Sequence, residues 1–164
     1  MDRPDLNRRL EEYARRRNLR MGKRLGSGVH GIVFTAESQL QKVWSALKAH
    51  ESESAYARER GVYLYLRELA VDAILNCNVP ALLDFDDELK ILEMTIVDRP
   101  FVLDFGGAYL HLPPDFPDEV RAEWRAEKME QYGERWPEVQ AVLCELERLD
   151  IYMVDVNPGN ISFG

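Results

Sequence analysis

Three closely spaced glycines, in Gly26-Ser27-Gly28-Val29-His30-Gly31, join two segments in which apolar and polar residues alternate. The segments 19–25 and 32–36 on either side follow the two-residue period of a β-strand. A dinucleotide-binding βαβ unit needs a helix after its glycines, whereas the β-branched pair Ile32-Val33 predicts a strand. The glycines therefore predict a loop between two antiparallel strands and exclude the dinucleotide-binding fold.

Helical patterns stand before and after this extended region. The apolar stripe of Leu6, Leu10, Tyr13 and Ala14 predicts a short amphipathic helix over 5–19. The alternation over 19–47 fits two or three antiparallel strands. A second helix is predicted over 54–70, capped by Ser52 or Ser54.

The second half of the chain predicts a hairpin, two helices and a final strand-loop-strand segment. Apolar runs at 79–85 and 91–97 flank the acidic turn 86–88, which is typical of a β-hairpin. A loop rich in glycine and proline precedes the helices, which we expect to be interrupted at Trp136-Pro137. The apolar strand 151–154 then leads into the last loop. This order predicts an α+β fold.

Length and composition predict a single globular core. A chain of 164 residues with 46% hydrophobic residues and a net charge of −8 has the composition of a soluble domain. No apolar run approaches the ~20 residues that cross a bilayer, and the charged N-terminus does not resemble a signal peptide, so we expect a cytoplasmic protein without membrane contact. Cys77 and Cys144 stand apart, without the spacing of a zinc site or a disulfide scaffold.

The charge is unevenly distributed along the chain. Residues 1–24 hold nine Lys and Arg against four Asp and Glu, a net charge of +5, which leaves −13 for the remainder. A basic arm of this kind can neutralise nucleic-acid phosphates, but the acidic remainder repels a polyanion. We therefore do not expect nucleic acid as a partner, and we expect the arm to dock on the acidic surface of its own chain.

Two further segments carry residues suited to phosphate chemistry. The loop Asp155-Val156-Asn157-Pro158-Gly159-Asn160 follows an apolar strand and places a carboxylate five residues before an amide. A carboxylate can orient an attacking hydroxyl, and an amide oxygen can ligate a metal ion. Lys48 ends the strand Ser45-Ala46-Leu47-Lys48, where a buried ammonium would neutralise phosphate charge.

The order of these segments resembles the protein-kinase-like superfamily, in its aminoglycoside-phosphotransferase and Rio-like branches. The resemblance covers about residues 19–164. It implies a basic amphipathic N-terminal helix over 1–18, a kinase-like N-lobe with its hinge over 19–101, and a minimal helical C-lobe over 102–164. In this family the N-lobe is an antiparallel sheet with one helix, and the C-lobe here is truncated after the catalytic loop.

The resemblance implies ATP and Mg²⁺ as cofactors and assigns a role to each matching residue. Lys48 would bind the α- and β-phosphates and pair with Glu59, for which Glu53 and Glu68 are alternatives. Asp155 would be the catalytic base and Asn160 a metal ligand. The residues that would surround ATP are Gly26, Ser27, Gly28, Val29, His30, Gly31 and Val33, the last of these against the adenine.

The sequence also departs from the family pattern. Met153 stands where many kinases have histidine, and Asn157 stands where they have lysine or histidine, so no cation is supplied there. An Asp104-Phe105-Gly106 triplet is present, but it precedes the catalytic loop, and chain order argues against its being the metal-binding triplet. Asp104, of this chain or of a second copy, is nevertheless the candidate carboxylate to complete a metal site with Asn160.

The resemblance predicts a serine/threonine kinase-like phosphotransferase that moves the γ-phosphate of ATP to an unknown protein or small-molecule hydroxyl. The alternative is a pseudokinase-type nucleotide-binding or interaction module without catalysis. Because an apolar strand at 151–154 would be left with an open edge, we also expect a homodimer that buries 124–136 or 151–163.

Overall fold

The structure, a computed structural model, describes residues 3–164, so the first two residues of the predicted 1–18 segment lie outside it. The described residues form an α+β fold with mainly antiparallel sheets. The helices are α1 (Pro4–Arg16), α2 (Glu53–Glu68), α3 (Asp118–Tyr132) and α4 (Trp136–Arg148). The strands are β1 (Leu19–Gly28), β2 (Gly31–Ser38), β3 (Trp44–His50), β4 (Ala73–Ile74), β5 (Cys77–Asn78), β6 (Leu82–Asp86), β7 (Ile91–Met94), β8 (Phe101–Val102), β9 (Tyr109–Leu110), β10 (Ile151–Tyr152) and β11 (Ile161–Ser162).

The main sheet has five strands in the order β1-β2-β3-β7-β6, and every neighbouring pair is antiparallel. The three strands predicted within 19–47 and the predicted hairpin are confirmed. The hairpin strand β6 begins at Leu82, three residues later than predicted, after Pro80, which has no backbone N–H for a ladder bond. In the centre of the sheet, Lys48 of β3 stands between Val33 of β2 and Leu92 of β7.

Helix α1 covers one face of this sheet with the stripe that the sequence predicts. Leu6, Leu10, Tyr13 and Ala14 are all buried, and they pack with residues such as Leu47. The helix ends at Arg16, earlier than predicted, and Asn18 takes a positive φ at the turn into β1.

The basic arm lies on acidic residues of its own chain, as expected. Arg16 pairs with Asp86 and Glu88 at the turn of the β6–β7 hairpin, and Arg17 pairs with Asp84 within β6. These ion pairs satisfy part of the positive charge that would otherwise face a polyanion.

Helix α2 lies on the opposite face, and its N-cap is Ser52, one of the two predicted caps. The Ser52 Oγ accepts a hydrogen bond from the Ala55 backbone N–H at 3.2 Å. Successive residues of a strand point to opposite faces, so the α2 face of β3 receives Ala46, Lys48 and His50 while Leu47 and Ala49 face α1. This alternation brings two ionisable side chains under one helix.

The two predicted helices of the second half are present, but the reason predicted for their separation is wrong. Helix α3 ends at Tyr132, and Gly133 turns the chain with a φ of +55°, a left-handed conformation that glycine adopts readily. Pro137 lies in the first turn of α4, where its missing N–H costs nothing. Glycine breaks the stretch, and proline starts the next helix.

The last two strands do not pair with each other but join two different small sheets. Strand β10 pairs with β9, and β11 pairs with β8. Ile151, Val156 and Ile161 are fully buried within the chain. Among the described residues β10 pairs only with β9, so one edge of this strand is occupied and its other edge has no strand partner. The homodimer stays a prediction. In the described part of the chain no helix is both long and apolar enough to span a bilayer.

Candidate functional site

A cleft of about 640 Å³ lies between the main sheet and the loops around β8 and β11. Its volume is in the range of small-molecule sites, which is about 300–1,000 Å³. Three groups of predicted residues meet there, although they are spread in sequence from Gly26 to Asn160. They are the glycine loop with Val33, the buried residues Lys48 and Glu59, and the later residues Asp104, Asp155 and Asn160.

The glycine loop is the two-residue turn of the β1–β2 hairpin, and it forms the roof of the cleft. Gly28 pairs with Gly31, and Val29 and His30 stand at the tip. Gly31 has a φ of +152°, and a Cβ there would collide with the carbonyl oxygen of Ala49, so the position requires glycine. Nothing lies within 4 Å of the Cβ positions of Gly26 and Gly28, which leaves space beside their backbone for a ligand, and the Gly28 carbonyl accepts from the Arg3 guanidinium at 3.2 Å.

Lys48 is buried, and its ammonium is held by two carboxylates. Its Nζ lies 2.7 Å from Oε2 of Glu59 and 2.8 Å from Oδ1 of Asp104. Burial alone would lower the pKa of Lys48, but the charges and hydrogen bonds of these two carboxylates outweigh it and raise the pKa. The Lys48 side chain therefore stays protonated, and its positive charge lies at the floor of the cleft.

Glu59 is the acidic residue of α2 that reaches this lysine. Its Oε2 accepts from Lys48, while Glu53 and Glu68, the alternatives in the sequence, are exposed at the two ends of α2. Burial alone would raise the pKa of Glu59, but Lys48 and a hydrogen bond from His50 lower it from 4.5 to about 2. The carboxylate is therefore ionised in the interior of the protein.

The loop that follows β10 is organised around Asp155. The Asn157 amide nitrogen lies 3.2 Å from Oδ1 of Asp155, and the Asn157 amide oxygen accepts from the Gly159 N–H at 2.9 Å. The Asn160 amide nitrogen donates to the backbone carbonyl of Asp155 at 2.9 Å. These bonds within one turn fix the relative positions of the predicted base and the predicted metal ligand.

Asp104, the candidate carboxylate named from the sequence, lies in the cleft, and its role in a metal site stays a prediction. The segment before Asp104 pairs with the segment after Asn160, through β8–β11 and a 2.7 Å bond from the Leu103 N–H to the Asn160 carbonyl. This pairing brings the triplet beside the loop 155–160, whatever the order of the two in the chain. Both Lys48 and the Gly106 N–H contact Oδ1 of Asp104, and neither contacts Oδ2.

His30 at the tip of the glycine loop reaches across the cleft. Its Nε2 lies 3.5 Å from Oδ2 of Asp155, and its ring packs against Gly106 and Gly107 so closely that a Cβ on Gly106 would lie 3.0 Å from the ring. The Arg58 guanidinium of α2 donates to the Gly106 carbonyl at 3.0 Å. The roof and the floor of the cleft are thus in contact in this structure.

Two residues of the site did not emerge from the sequence. His50 follows Lys48 by two residues in an alternating strand, and that spacing alone places it on the face of Lys48. Asn157 entered only as a departure from a family pattern, whereas it contacts Asp155 directly. Its role depends on the shape of a turn, for which the sequence Asn-Pro-Gly is a general signal and not a specific one.

Comparisons of the chain with protein-family models, with curated proteins and with solved structures give no match. Among residues 3–164 there is no cluster of three or more His, Cys, Asp or Glu side chains arranged to hold a metal ion. Any functional conclusion therefore depends on the geometry of the cleft itself.

Proposed function

We propose that the cleft binds ATP with Mg²⁺ and that the protein is a minimal kinase-like phosphotransferase acting on a hydroxyl of a protein or small molecule. In this proposal the sheet with α2 corresponds to a kinase-like N-lobe, and the segment from 102 corresponds to a reduced C-lobe. The observation that carries the proposal is the ammonium of Lys48, held between Glu59 and Asp104 under a glycine hairpin and beside the Asp155–Asn160 loop.

The roof and floor of the cleft support the binding of a phosphate chain. Gly26 and Gly28 leave space in which a phosphate can approach the backbone, and Gly31 keeps the hairpin tight against β3. Lys48 supplies a positive charge in surroundings that exclude water, where its attraction for a phosphate is stronger than at the surface. Val33 and Met94 line the same cleft and offer an apolar surface to the adenine of ATP.

The oxygen atoms at the floor suit a magnesium ion. Mg²⁺ is usually held by one or two carboxylates together with substrate phosphates and several waters, so a cluster of three acidic residues is not required. Oδ2 of Asp104 is not engaged by Lys48, and the Asn160 amide uses its nitrogen for Asp155, which leaves its oxygen for a cation. When bound, the ion would neutralise phosphate charge during transfer.

Asp155 is the group suited to orient the acceptor hydroxyl and to accept its proton. Its side chain is partly exposed to the cleft, and Asn157 holds Oδ1, so Oδ2 faces the side on which His30 lies. An acceptor that approaches Oδ2 has to displace His30, which implies that the glycine hairpin opens before transfer.

A second candidate is nucleotide binding without transfer. The observation that favours it concerns Asn157, whose amide nitrogen and oxygen are both hydrogen-bonded within its own loop. Asn157 is neutral, so it brings no positive charge to the neighbourhood of Asp155. Both candidates predict ATP binding, and only the first predicts turnover.

The test is thermal unfolding with ATP and Mg²⁺, with ATP and a chelator, and without ligand, together with release or transfer of labelled γ-phosphate. The proposal expects stabilisation that is largest with Mg²⁺, and transfer to a hydroxyl-rich acceptor protein or to water. Stabilisation without any transfer supports the second candidate. No stabilisation at millimolar ATP contradicts both.

A further inference from the structure

His50 is a fully buried histidine to which the proposed chemistry assigns no role. Its Nε2 lies 2.6 Å from Oε2 of Glu59, and its Nδ1 lies 3.3 Å from the Lys90 carbonyl. Its ring packs edge-on against Tyr56 of α2, with the ring centroids 5.4 Å apart. A buried imidazole with these contacts has one fixed orientation.

The backbone of His50 is also fixed, and from the other side of the sheet. The Arg9 guanidinium of α1 donates to the His50 carbonyl at 2.8 Å and to the Leu89 carbonyl at 2.9 Å. The His50 N–H donates to the Lys90 carbonyl at 3.0 Å. His50 therefore ends β3 in a rigid frame that links α1, the main sheet and α2.

Glu59 needs a partner other than Lys48. Its Oε2 accepts from both Lys48 and His50, while its Oε1 is buried with no hydrogen-bond partner in the structure. If the Lys48 ammonium turns toward a phosphate, Glu59 loses part of its compensation in a site that water does not reach. A buried charge that loses its partner is strongly unfavourable, so the turn of Lys48 would be opposed.

We propose that His50 is a positioning residue, which keeps Glu59 ionised and in place while the Lys48 ammonium moves between Asp104 and a phosphate. This inference rests on the proposed function, since it concerns the response of Lys48 to a nucleotide. His50 touches no nucleotide and acts through Glu59. The hydrogen bond between His50 and Glu59 remains when Lys48 turns away. Glu59 can therefore release Lys48 and still hold α2 against β3.

The test uses two amide substitutions of similar polarity. The amide nitrogen of Gln in His50→Gln reaches about as far from the backbone as the imidazole Nε2, so it can still donate to Glu59. In His50→Asn the side chain is shorter, and its amide nitrogen reaches only about as far as the imidazole Nδ1. It therefore cannot reach Glu59. We expect His50→Asn to weaken the affinity for MgATP at least tenfold and His50→Gln to stay within about threefold of the wild type.

A double-mutant cycle decides whether His50 acts through Glu59. In a Glu59→Gln background, His50→Asn should change the MgATP affinity by less than about twofold, because the carboxylate it serves is gone. The proposal is overturned if His50→Gln is as weak as His50→Asn, or if the full loss persists in the Glu59→Gln background.

Hydrogen exchange of α2 without nucleotide separates this inference from the proposed function. We expect the amides around Glu59 to exchange faster in His50→Asn than in the wild type, and His50→Gln to restore their protection. If the wild type binds no MgATP, the proposed function fails, and the exchange comparison alone tests whether His50 holds Glu59. Equal exchange in all three proteins would overturn that role as well.

Discussion

At the scale of single residues, the cleft is defined by four charged side chains, those of Lys48, Glu59, Asp104 and Asp155. Lys48 lies between two carboxylates, and Asp155 is fixed by Asn157 at the opposite wall. The two buried charges, those of Lys48 and Glu59, balance each other, whereas Asp104 and Asp155 are partly exposed. Each residue can therefore be tested for a separate contribution to binding or to transfer.

Replacing Lys48 with methionine should remove most of the stabilisation by ATP. At 100 times its dissociation constant, a ligand stabilises the folded state by ~2.7 kcal/mol, and Lys48→Met should lose most of this shift because its charge is the main attraction for phosphate. Thermal unfolding with and without MgATP measures the effect. Lys23→Ala, an exposed lysine on β1 outside the cleft, is the control and should keep the full shift.

Replacing Asp155 with asparagine should abolish transfer while keeping ATP binding. A general base acts in the transition state, and its loss lowers the rate by roughly 10²–10⁴-fold. The measurements are γ-phosphate transfer and the MgATP dissociation constant of the same preparation. Equal turnover by Asp155→Asn and the wild type would assign the activity to another residue or to a contaminant.

At the scale of elements, helix α2 is the part that positions the site, because it carries Glu59 and Arg58 to the cleft. Its start is set by the Ser52 cap, and its buried face is set by Tyr56, Tyr63 and their neighbours. The helix reaches both the sheet, through Lys48, and the Asp104 triplet, through Gly106. Stability of α2 and integrity of the site are therefore expected to change together.

The cap of α2 gives a direct test of this link. Ser52→Ala removes the acceptor for the Ala55 N–H and should lower the free energy of unfolding by ~1 kcal/mol. Ser54→Ala, in the first turn of the same helix and exposed, should change it by less than about 0.5 kcal/mol. Denaturant unfolding compares the two. Equal effects would show that Ser52 does not cap the helix in solution.

At the scale of the whole molecule, two helices enclose the main sheet from opposite faces, and the buried ion network lies under only one of them. Helix α1 covers an apolar face, and its arginines pair with acidic residues at the surface. Surface ion pairs contribute little to stability, whereas a buried pair has large effects when one partner is changed. The loss of stability at low pH should therefore depend more on Glu59 than on the surface ion pairs of α1.

Glu59 should make the protein sensitive to acid below pH 4.5. Its pKa is lowered from 4.5 to about 2 on folding, so the unfolded chain binds the proton first. The stabilisation is complete above pH 4.5 and is lost as the pH falls toward 2. We expect the melting temperature of Glu59→Gln to fall less steeply than that of the wild type between pH 4.5 and 2.5.

Glu12 provides the matched comparison for this pH dependence. Hydrogen bonds from Arg15 and Arg16 lower its pKa to about 2 as well, but these contacts lie at the surface. In Glu12→Gln the melting temperature should fall between pH 4.5 and 2.5 about as steeply as in the wild type. A slope that changes more in Glu12→Gln than in Glu59→Gln would assign the acid response to the arm.

Features that depend on neighbouring residues could be predicted from the sequence. The alternation around the glycines gave the hairpin, the stripe of Leu6, Leu10 and Tyr13 gave the buried face of α1, and Ser52 was one of the two caps predicted for α2. Period and capping are local properties, so they can be recognised without a fold. The same strand period placed Lys48 on a defined face of β3.

The contacts between residues far apart in the chain could not be predicted in this way, because they depend on how the elements pack. Helices α3 and α4 separate Asp104 from Asn160 in the chain, and chain order argued against the Asp104 triplet as the metal-binding triplet, yet the β8–β11 pairing puts the segments next to these two residues side by side. Backbone hydrogen bonds can join strands at any separation in the chain, and two-residue strands such as β8 and β11 carry too short a side-chain pattern to identify their partner. For the same reason the pairing of β10 with β9 could not be predicted from the sequence, and His50 meets Glu59 only because α2 packs on its face of the sheet.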